Sequence, residues 1–446
     1  MKWVLYNLLF AAVYPLLLPG FILRMSRRGG YAARFLDRFA LYPPEVAGFF
    51  HRDLYDSHSP AARAASPSDP VWIHAVSVGE VQVAGQLMRE WRRAEPGVRF
   101  CFSTTSSTGW KMASREVTER DALIYNPLDF PNFVKSALRT IRPRALVLTE
   151  SEIWPNFIRA AKRHGVPVFL VNARVSDRSA PRYRLGKFFF RDVFSCFTRI
   201  FAQSELDAER LRAAMRESDA GIAVVAGSFK FDVAHRDPEK EAELAKWVFG
   251  GDAARPKVLL GGSTWPGEDE AMLRIYRKAL DAGVDALLVI APRHFEKADA
   301  VEANIRAAGF GCVRRSRGDV RGGSAAGREV LLADTTGELM GLYGIADAVF
   351  VGKSLCEHGS QNMIEPCLCG KPTAVGPNTE NFRPVMSDLL DGGGIVQAAD
   401  EAELGRTLVG WLRDGDGGLG ARAAAAVERR KGVVPKCVAE IREALS

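Results

Sequence analysis

In the stretch Ile73-His-Ala-Val-Ser-Val-Gly-Glu-Val-Gln-Val-Ala-Gly85, an apolar run gives way to small residues and then to a carboxylate, Glu80, directly after a glycine. In the first turn of a helix such a group is favoured by the helix dipole; beside a bound substrate it can accept a proton. Four further stretches suit a phosphate. Gly261-Gly-Ser-Thr-Trp-Pro-Gly-Glu-Asp-Glu270 sets small residues and hydroxyls before a helix. That arrangement fits a phosphate held by backbone N–H groups or a plain cap made by Ser263 or Thr264. Ala291-Pro-Arg-His-Phe-Glu-Lys297 puts Arg293 just after an apolar run, where its guanidinium is either a two-pronged phosphate grip or surface charge. Ala333-Asp-Thr-Thr-Gly-Glu-Leu339 brings hydroxyls and a glycine into a helix. In Gly359-Ser-Gln-Asn-Met-Ile-Glu-Pro-Cys-Leu-Cys-Gly-Lys-Pro-Thr-Ala-Val-Gly376, the spacing of Asn362 and Glu365 predicts one helix face. That face offers a helix end for phosphate with a carboxylate for ribose hydroxyls, or a capping box. Together the four turns read as a nucleotide site.

The elements that must position these residues follow from the hydrophobic pattern. A chain of 446 residues suits two domains of about 200 residues each. Apolar runs at 71–75, 100–103, 122–125, 145–149, 167–172, 199–202 and 222–225 alternate with amphipathic helical stretches. The rhythm breaks over the polar stretch from Asp232 to Arg255 and restarts at 258–261, 286–291, 311–314, 330–333, 348–351 and 373–375. The expected fold is α/β, two Rossmann-like domains facing a cleft. Ligands of such sheets lie beyond the carboxyl ends of the strands, where these turns fall. The expected boundaries are an anchor with its basic flank at 1–28, a first domain at 29–232, a linker at 233–256 and a nucleotide domain at 257–446.

The N-terminus stands apart. Trp3 to Leu23 carries no charge and is long enough to cross about 30 Å of hydrocarbon as a helix. Arg24, Arg27, Arg28 and Arg34 follow, with no acid before Asp37, which suits anionic lipid and puts the body of the protein on the cytoplasmic side of a membrane. Pro15 and Pro19 leave open whether the segment spans or dips into one leaflet. Sixty basic against 53 acidic residues favour acidic partners; no aromatic and basic platform or helix-turn-helix pattern argues for nucleic acid. Seven scattered cysteines without a Cys-x-x-Cys pair fit a reducing compartment, with Cys367 and Cys369 as core residues and no metal expected.

The motifs resemble those of the 3-deoxy-D-manno-octulosonic acid (Kdo) transferases of bacterial lipopolysaccharide synthesis, membrane-anchored glycosyltransferases of the GT-B fold. The resemblance rests on the N-terminal segment, His74 to Glu80, Thr104 to Gly109, Thr149-Glu-Ser-Glu-Ile-Trp-Pro-Asn156, Asn172 to Ser176 and Gly227-Ser-Phe-Lys-Phe-Asp232. Further along it continues through Gly262 to Thr264, Pro292-Arg-His294, Asp334 to Leu339, Leu342 to Asp347, Asn362 with Glu365, and Gly376-Pro377 with Asn381-Phe382, all in family order. It implies a CMP-Kdo donor held by the C-terminal domain, a lipid A precursor at the N-terminal domain, a place on the bacterial inner membrane, and no metal or other cofactor. It also implies Glu80 as catalytic base, Glu150 and Lys230 in support of the transition state, and nucleotide contacts from Pro292, Arg293, Thr336, Gly337, Glu338 and the run Asn362, Met363, Ile364 and Glu365. Direct attack from the face opposite the leaving group would invert the anomeric centre. The chain departs from the family pattern at Trp265, Lys353, Ser360 and Gln361, which bears on how the donor is oriented. Two other readings remain: a membrane GT-B enzyme using a UDP-sugar, and a tethered nucleotide- or glycan-binding protein without catalysis.

Overall fold

Runs such as Ala145-Leu-Val-Leu-Thr149 are buried at every residue, as strands covered on both faces must be. The structure, a computed structural model, describes residues 2–28, 32–51, 69–233, 236–250, 255–321 and 329–446. It divides into two units, Met1–Phe229 with Gly432–Ser446, and Lys230–Lys431.

The first unit is built on β1 (Val71–His74), β2 (Phe100–Thr104), β3 (Ala122–Tyr125), β4 (Ala145–Thr149), β5 (Val168–Ala173), β6 (Arg199–Ala202) and β7 (Ala223–Val225). All pair in parallel, in the order β3-β2-β1-β4-β5-β6-β7. His74 stands opposite Ser103 on one side and Leu148 on the other. One apolar layer lies on each face of this sheet, around Trp72, Phe157 and Phe194 and around Trp91, Phe100 and Phe169.

The second unit holds β8 (Lys257–Thr264), β9 (Ala286–Pro292), β10 (Gly311–Arg314), β11 (Glu329–Leu332), β12 (Ala348–Val351), β13 (Thr373–Val375) and β14 (Val396–Gln397). These are also parallel, in the order β10-β11-β9-β8-β12-β13-β14. Each strand expected from the apolar runs is present within two residues at its start and three at its end. The two-residue β14 carries too short a pattern to read.

Two stretches differ from expectation. The stretch expected as a linker contains a helix, Pro238–Phe249, opened by the Asp237 cap and counted with the second unit. The last helix, Val433–Glu443, packs Val433, Val434, Cys437, Val438 and Ile441 into the first unit's core, so the second unit ends before residue 446. Sequence order alone hides that return. A helix does cover Lys2–Arg28, and among the described residues no helix is long and apolar enough to cross a membrane.

Candidate active site

Where crossovers leave a parallel sheet in opposite directions, the strand ends part and make room for a ligand. In the first unit that point lies between β1 and β4, and the loops leaving these strands carry Glu80 and Glu150. Glu80 sits in the first turn of the helix Val78–Ala94, only 7% exposed. The Ser77 hydroxyl caps the helix, accepting the Glu80 N–H at 3.2 Å, and donates to Oε1 at 2.8 Å. Oε2 accepts the Val76 N–H at 2.9 Å and lies 3.3 Å from the Thr149 hydroxyl, itself 3.0 Å from the His74 carbonyl. An ionised carboxylate has about four lone-pair positions. The Val76 N–H and the Ser77 hydroxyl take two of these, and the single Thr149 proton is shared with the nearer His74 carbonyl, so a position is left for a substrate hydroxyl and a proton-accepting role is compatible with these bonds.

Glu150 follows Thr149 directly, with φ 50°, and Asn172 at the end of β5 has φ 53°. Non-glycine residues in this region cost about 1–2 kcal/mol each. Asn172 is fully buried, donates from Nδ2 to Glu150 Oε1 at 3.3 Å and accepts the Phe229 N–H on Oδ1 at 3.1 Å. His74 is buried as well, its Nδ1 2.9 Å from the Ser103 hydroxyl and its Nε2 3.7 Å from Glu152. Trp154 donates to Glu152 at 2.7 Å and packs on the core. Gly109 is required by space: a Cβ there would lie 2.9 Å from the Val76 carbonyl, which also accepts the Ser106 hydroxyl at 3.0 Å. The turn after β2 thus braces the loop that ends in Glu80. Lys230 opens a single helical turn in the second unit, its ammonium 4.1 Å from the centre of the Phe382 ring.

In the second unit the strands part between β8 and β12. Ser263 and Thr264 lie within β8 and cap nothing; Gly267, at φ 92°, precedes the helix Glu268–Asp281. The fully buried Glu268 instead accepts backbone N–H groups from Trp265 at 2.8 Å, Lys353 at 2.7 Å, Ser354 at 3.0 Å, Leu355 at 2.9 Å and Cys356 at 3.5 Å. Its carboxylate fills a nest of N–H groups drawn mainly from residues 353–356, with only the Trp265 N–H coming from the turn that the sequence offers to phosphate. Gly352 admits this arrangement, since a Cβ would come within 2.7 Å of Glu268 and 2.3 Å of the Ser263 carbonyl. Two departures from the family pattern meet here: the Lys353 ammonium lies 4.9 Å from the Trp265 ring.

Arg293 is exposed beyond β9, next to Pro292, and its N–H bonds the Thr264 carbonyl at 3.0 Å. Thr336 and Gly337 form an exposed turn beyond β11. Glu338 is buried and committed, to Arg315 at 3.0 Å, Lys240 at 3.2 Å and Thr335. Burial pushes its carboxyl up, but these partners outweigh burial and hold it below the usual range. The helix expected to carry Asn362 and Glu365 covers only Ile364–Leu368, so Asn362 precedes it. An earlier start would put Pro366 past the first turn, where its missing N–H breaks the helix. Asn362 still donates to Glu365 Oε1 at 3.0 Å and accepts the Ile364 N–H at 3.2 Å. Burial raises the Glu365 carboxyl, partly offset by Asn362. Met363 and Ile364 point into the core, as do Cys367 and Cys369. Of the run 362–365, then, the side chains of Asn362 and Glu365 are the ones a nucleotide can reach. Among the described residues no group of three His, Cys, Asp or Glu could hold a metal.

Two seven-stranded parallel sheets, each parting at a switch point, make this an α/β protein of the GT-B fold. A glycosyltransferase from Rickettsia africae matches 85% of this chain and 99% of its own at TM-score 0.56 and 12% identity. Anabaena HepE in complex with UDP matches 84% and 100% at TM-score 0.55 and 14% identity. The family described as 3-deoxy-D-manno-octulosonic-acid transferase (kdotransferase) matches residues 34–233. The 3-deoxy-D-manno-octulosonic acid transferase of Bordetella pertussis is 35% identical over 360 residues, 78% of this chain and 80% of its own. That of Haemophilus influenzae is 30% identical over 338 residues, 76% and 77%. The chain belongs to the 3-deoxy-D-manno-octulosonic acid transferase family.

Proposed function

We propose that this chain transfers Kdo from CMP-Kdo to a lipid A precursor, lipid IVA, in lipopolysaccharide core synthesis, with inversion of the anomeric centre. The observation that carries this reading is Glu80: a buried carboxylate at the first unit's switch point, fixed by the Val76 N–H and the Ser77 hydroxyl and 3.3 Å from the hydroxyl of Thr149, the residue that precedes Glu150. A sugar hydroxyl is a poor nucleophile at neutral pH. Glu80 takes its proton as the oxygen attacks the anomeric carbon, and the bond from that carbon to the CMP phosphate breaks with its electron pair leaving on phosphate. Glu150 stabilises the positive charge that develops on the ring, while Lys230 and Arg293 offset negative charge on the phosphate or the Kdo carboxylate. Pro292, Arg293, Thr336, Gly337, Asn362 and Glu365 hold the nucleotide, with Glu338 shaping its turn through Arg315. No metal or further cofactor enters this scheme. The lipid acceptor places the protein on the cytoplasmic face of the bacterial inner membrane, held by its N-terminal helix.

Purified protein given CMP-Kdo and lipid IVA should yield a product heavier by Kdo, read by mass spectrometry. Transfer from UDP-sugars alone would overturn the donor, and binding of CMP-Kdo without turnover would leave a non-catalytic binding protein.

A further inference from the structure

The N-terminal helix has two unlike faces. Trp3, Tyr6, Asn7, Phe10 and Tyr14, spaced to share one side, turn towards the first unit. The Trp3 ring lies 5.2 Å from Phe189, and Phe10 and Tyr14 lie 5.0 and 5.8 Å from Phe130. The Tyr6 hydroxyl donates to the buried Asp129 at 2.9 Å, and Asn156 donates to Asn7 at 2.7 Å. The opposite side shows Val4, Leu5, Leu8, Leu9, Val13 and Leu16, each 41% to 79% exposed. At the helix start Lys2 pairs with Asp192 and donates to the Phe188 carbonyl at 3.1 Å. Beside that contact Leu185 is 88% and Phe188 60% exposed, among exposed Arg182, Arg184, Lys187 and Arg191. The nearby acids are engaged, Asp192 by Lys2 and Arg216 and Asp177 by Arg210.

We propose that this helix does not cross the bilayer but lies in its surface, its aromatic side docked on the first unit. Its leucine side, with Leu185, Phe188 and their basic rim, meets an anionic lipid interface. Crossing would carry residues 3–14 into hydrocarbon and strip them from Asp129 and Asn156, whose polar groups would lose their partners. An apolar stripe rimmed by Arg182, Arg184 and Lys187, with Arg191 paired to Asp192 at 3.8 Å, matches the acyl boundary and headgroups of an anionic leaflet. A second copy of this chain would instead bring the same cations against themselves. The proposal deepens the transferase reading, since it sets the height at which a lipid-borne acceptor reaches Glu80.

The full chain is tested by flotation with vesicles of phosphatidylcholine alone or with phosphatidylglycerol, and by protease treatment of inverted inner-membrane vesicles bearing N- and C-terminally tagged protein. We expect flotation with phosphatidylglycerol vesicles, at least a tenfold loss in Leu5→Glu/Leu9→Glu, and a weaker loss in Arg182→Ser/Arg184→Ser. Both tags should be cleaved together, because both termini lie on one side. A protected N-terminal tag would show a crossing helix and overturn the proposal; so would a glutamate-sensitive dimer in ultracentrifugation without lipid binding. Leu5→Glu/Leu9→Glu should keep transfer to acceptor dispersed in detergent, which separates loss of the seat from loss of the fold. If wild-type protein floats but transfers nothing from CMP-Kdo, the proposed reaction fails while the lipid seat stands.

Discussion

Asn172 ties Glu150 to Phe229: one end of its amide donates to the Glu150 carboxylate at 3.3 Å and the other accepts the Phe229 N–H at 3.1 Å, immediately before Lys230 in the chain. Both Asn172 and Glu150 hold left-handed backbone conformations, and strain of this kind persists where surrounding bonds over-determine it. Asn172→Ala leaves the buried Phe229 N–H without an acceptor, and we expect a loss of about 1–3 kcal/mol in urea unfolding. Transfer should fall about tenfold or more, with CMP affinity by calorimetry unchanged. Asn172→Asp sets a second carboxylate against Glu150 and should transfer more slowly still. If the aspartate variant turned over at the wild-type rate, Glu150 would owe nothing to this bond.

Glu80→Gln separates the two roles of that side chain. Glutamine keeps the shape but has one accepting oxygen where the carboxylate has two, so the protein should stay folded with a loss of about 1–3 kcal/mol. It cannot take a proton, and loss of a general base costs about 10²–10⁴-fold in rate. We expect transfer near background with CMP binding intact. Ser77→Ala provides the contrast: it should cost about 1 kcal/mol of stability and reduce turnover far less. Normal turnover in Glu80→Gln would remove Glu80 from the chemistry.

The sheets were legible because each strand is a short apolar run covered on both faces, and parallel pairing followed from the alternation with helices. The same alternation puts the turns at 73–85, 291–297 and 333–339 at the ends of β1, β9 and β11, whereas the loop beyond β4 stood out only through the family resemblance. What stayed hidden depends on distant pairing. Nothing near Thr149 in sequence points to a hydroxyl 3.3 Å from Glu80, and the return of Val433–Glu443 to the first unit leaves no mark in its amphipathic pattern. Glu268 looks like an ordinary first-turn acid; its five N–H donors include four from residues 353–356, brought close by the pairing of β8 with β12. Asn172 alone carried a signal, because asparagine tolerates the left-handed region better than most residues.

Glu268 should therefore behave as a positioning residue of the donor domain. Glu268→Ala abandons five buried or part-buried N–H groups, and we expect a loss exceeding about 3 kcal/mol, enough to obscure any kinetic effect. Glu268→Gln keeps the shape but offers one carbonyl in place of two carboxylate oxygens, so the loop from Lys353 to Cys356 loosens while the sheet survives. Its expected signature is a raised KM for CMP-Kdo with a smaller change in kcat, and faster amide exchange at residues 353–356. An unchanged KM beside altered exchange would show that this loop does not shape the donor site.

Asp129 makes the seat of the N-terminal helix sensitive to pH. Burial raises its carboxyl to about 7, against the lowering effects of the Asn156 N–H, the Tyr6 hydroxyl and the Phe157 N–H. The ordinary value for an unfolded aspartate is 3.8. Between those values the folded protein holds a proton that the unfolded chain has released, so stability falls as pH rises from about 4 to about 7 and is flat above, where both states are ionised. A gap of this size corresponds to a few kcal/mol, as an order of magnitude. Asp129→Asn cannot titrate, and its amide serves the two backbone N–H groups less well, so it should be less stable than wild type at acidic pH. The measurement is the difference between the two proteins' unfolding free energies in urea across pH 4 to 8. We expect that difference to shrink as pH rises and to level off above about 7; curves that stay parallel would place the Asp129 titration outside this range.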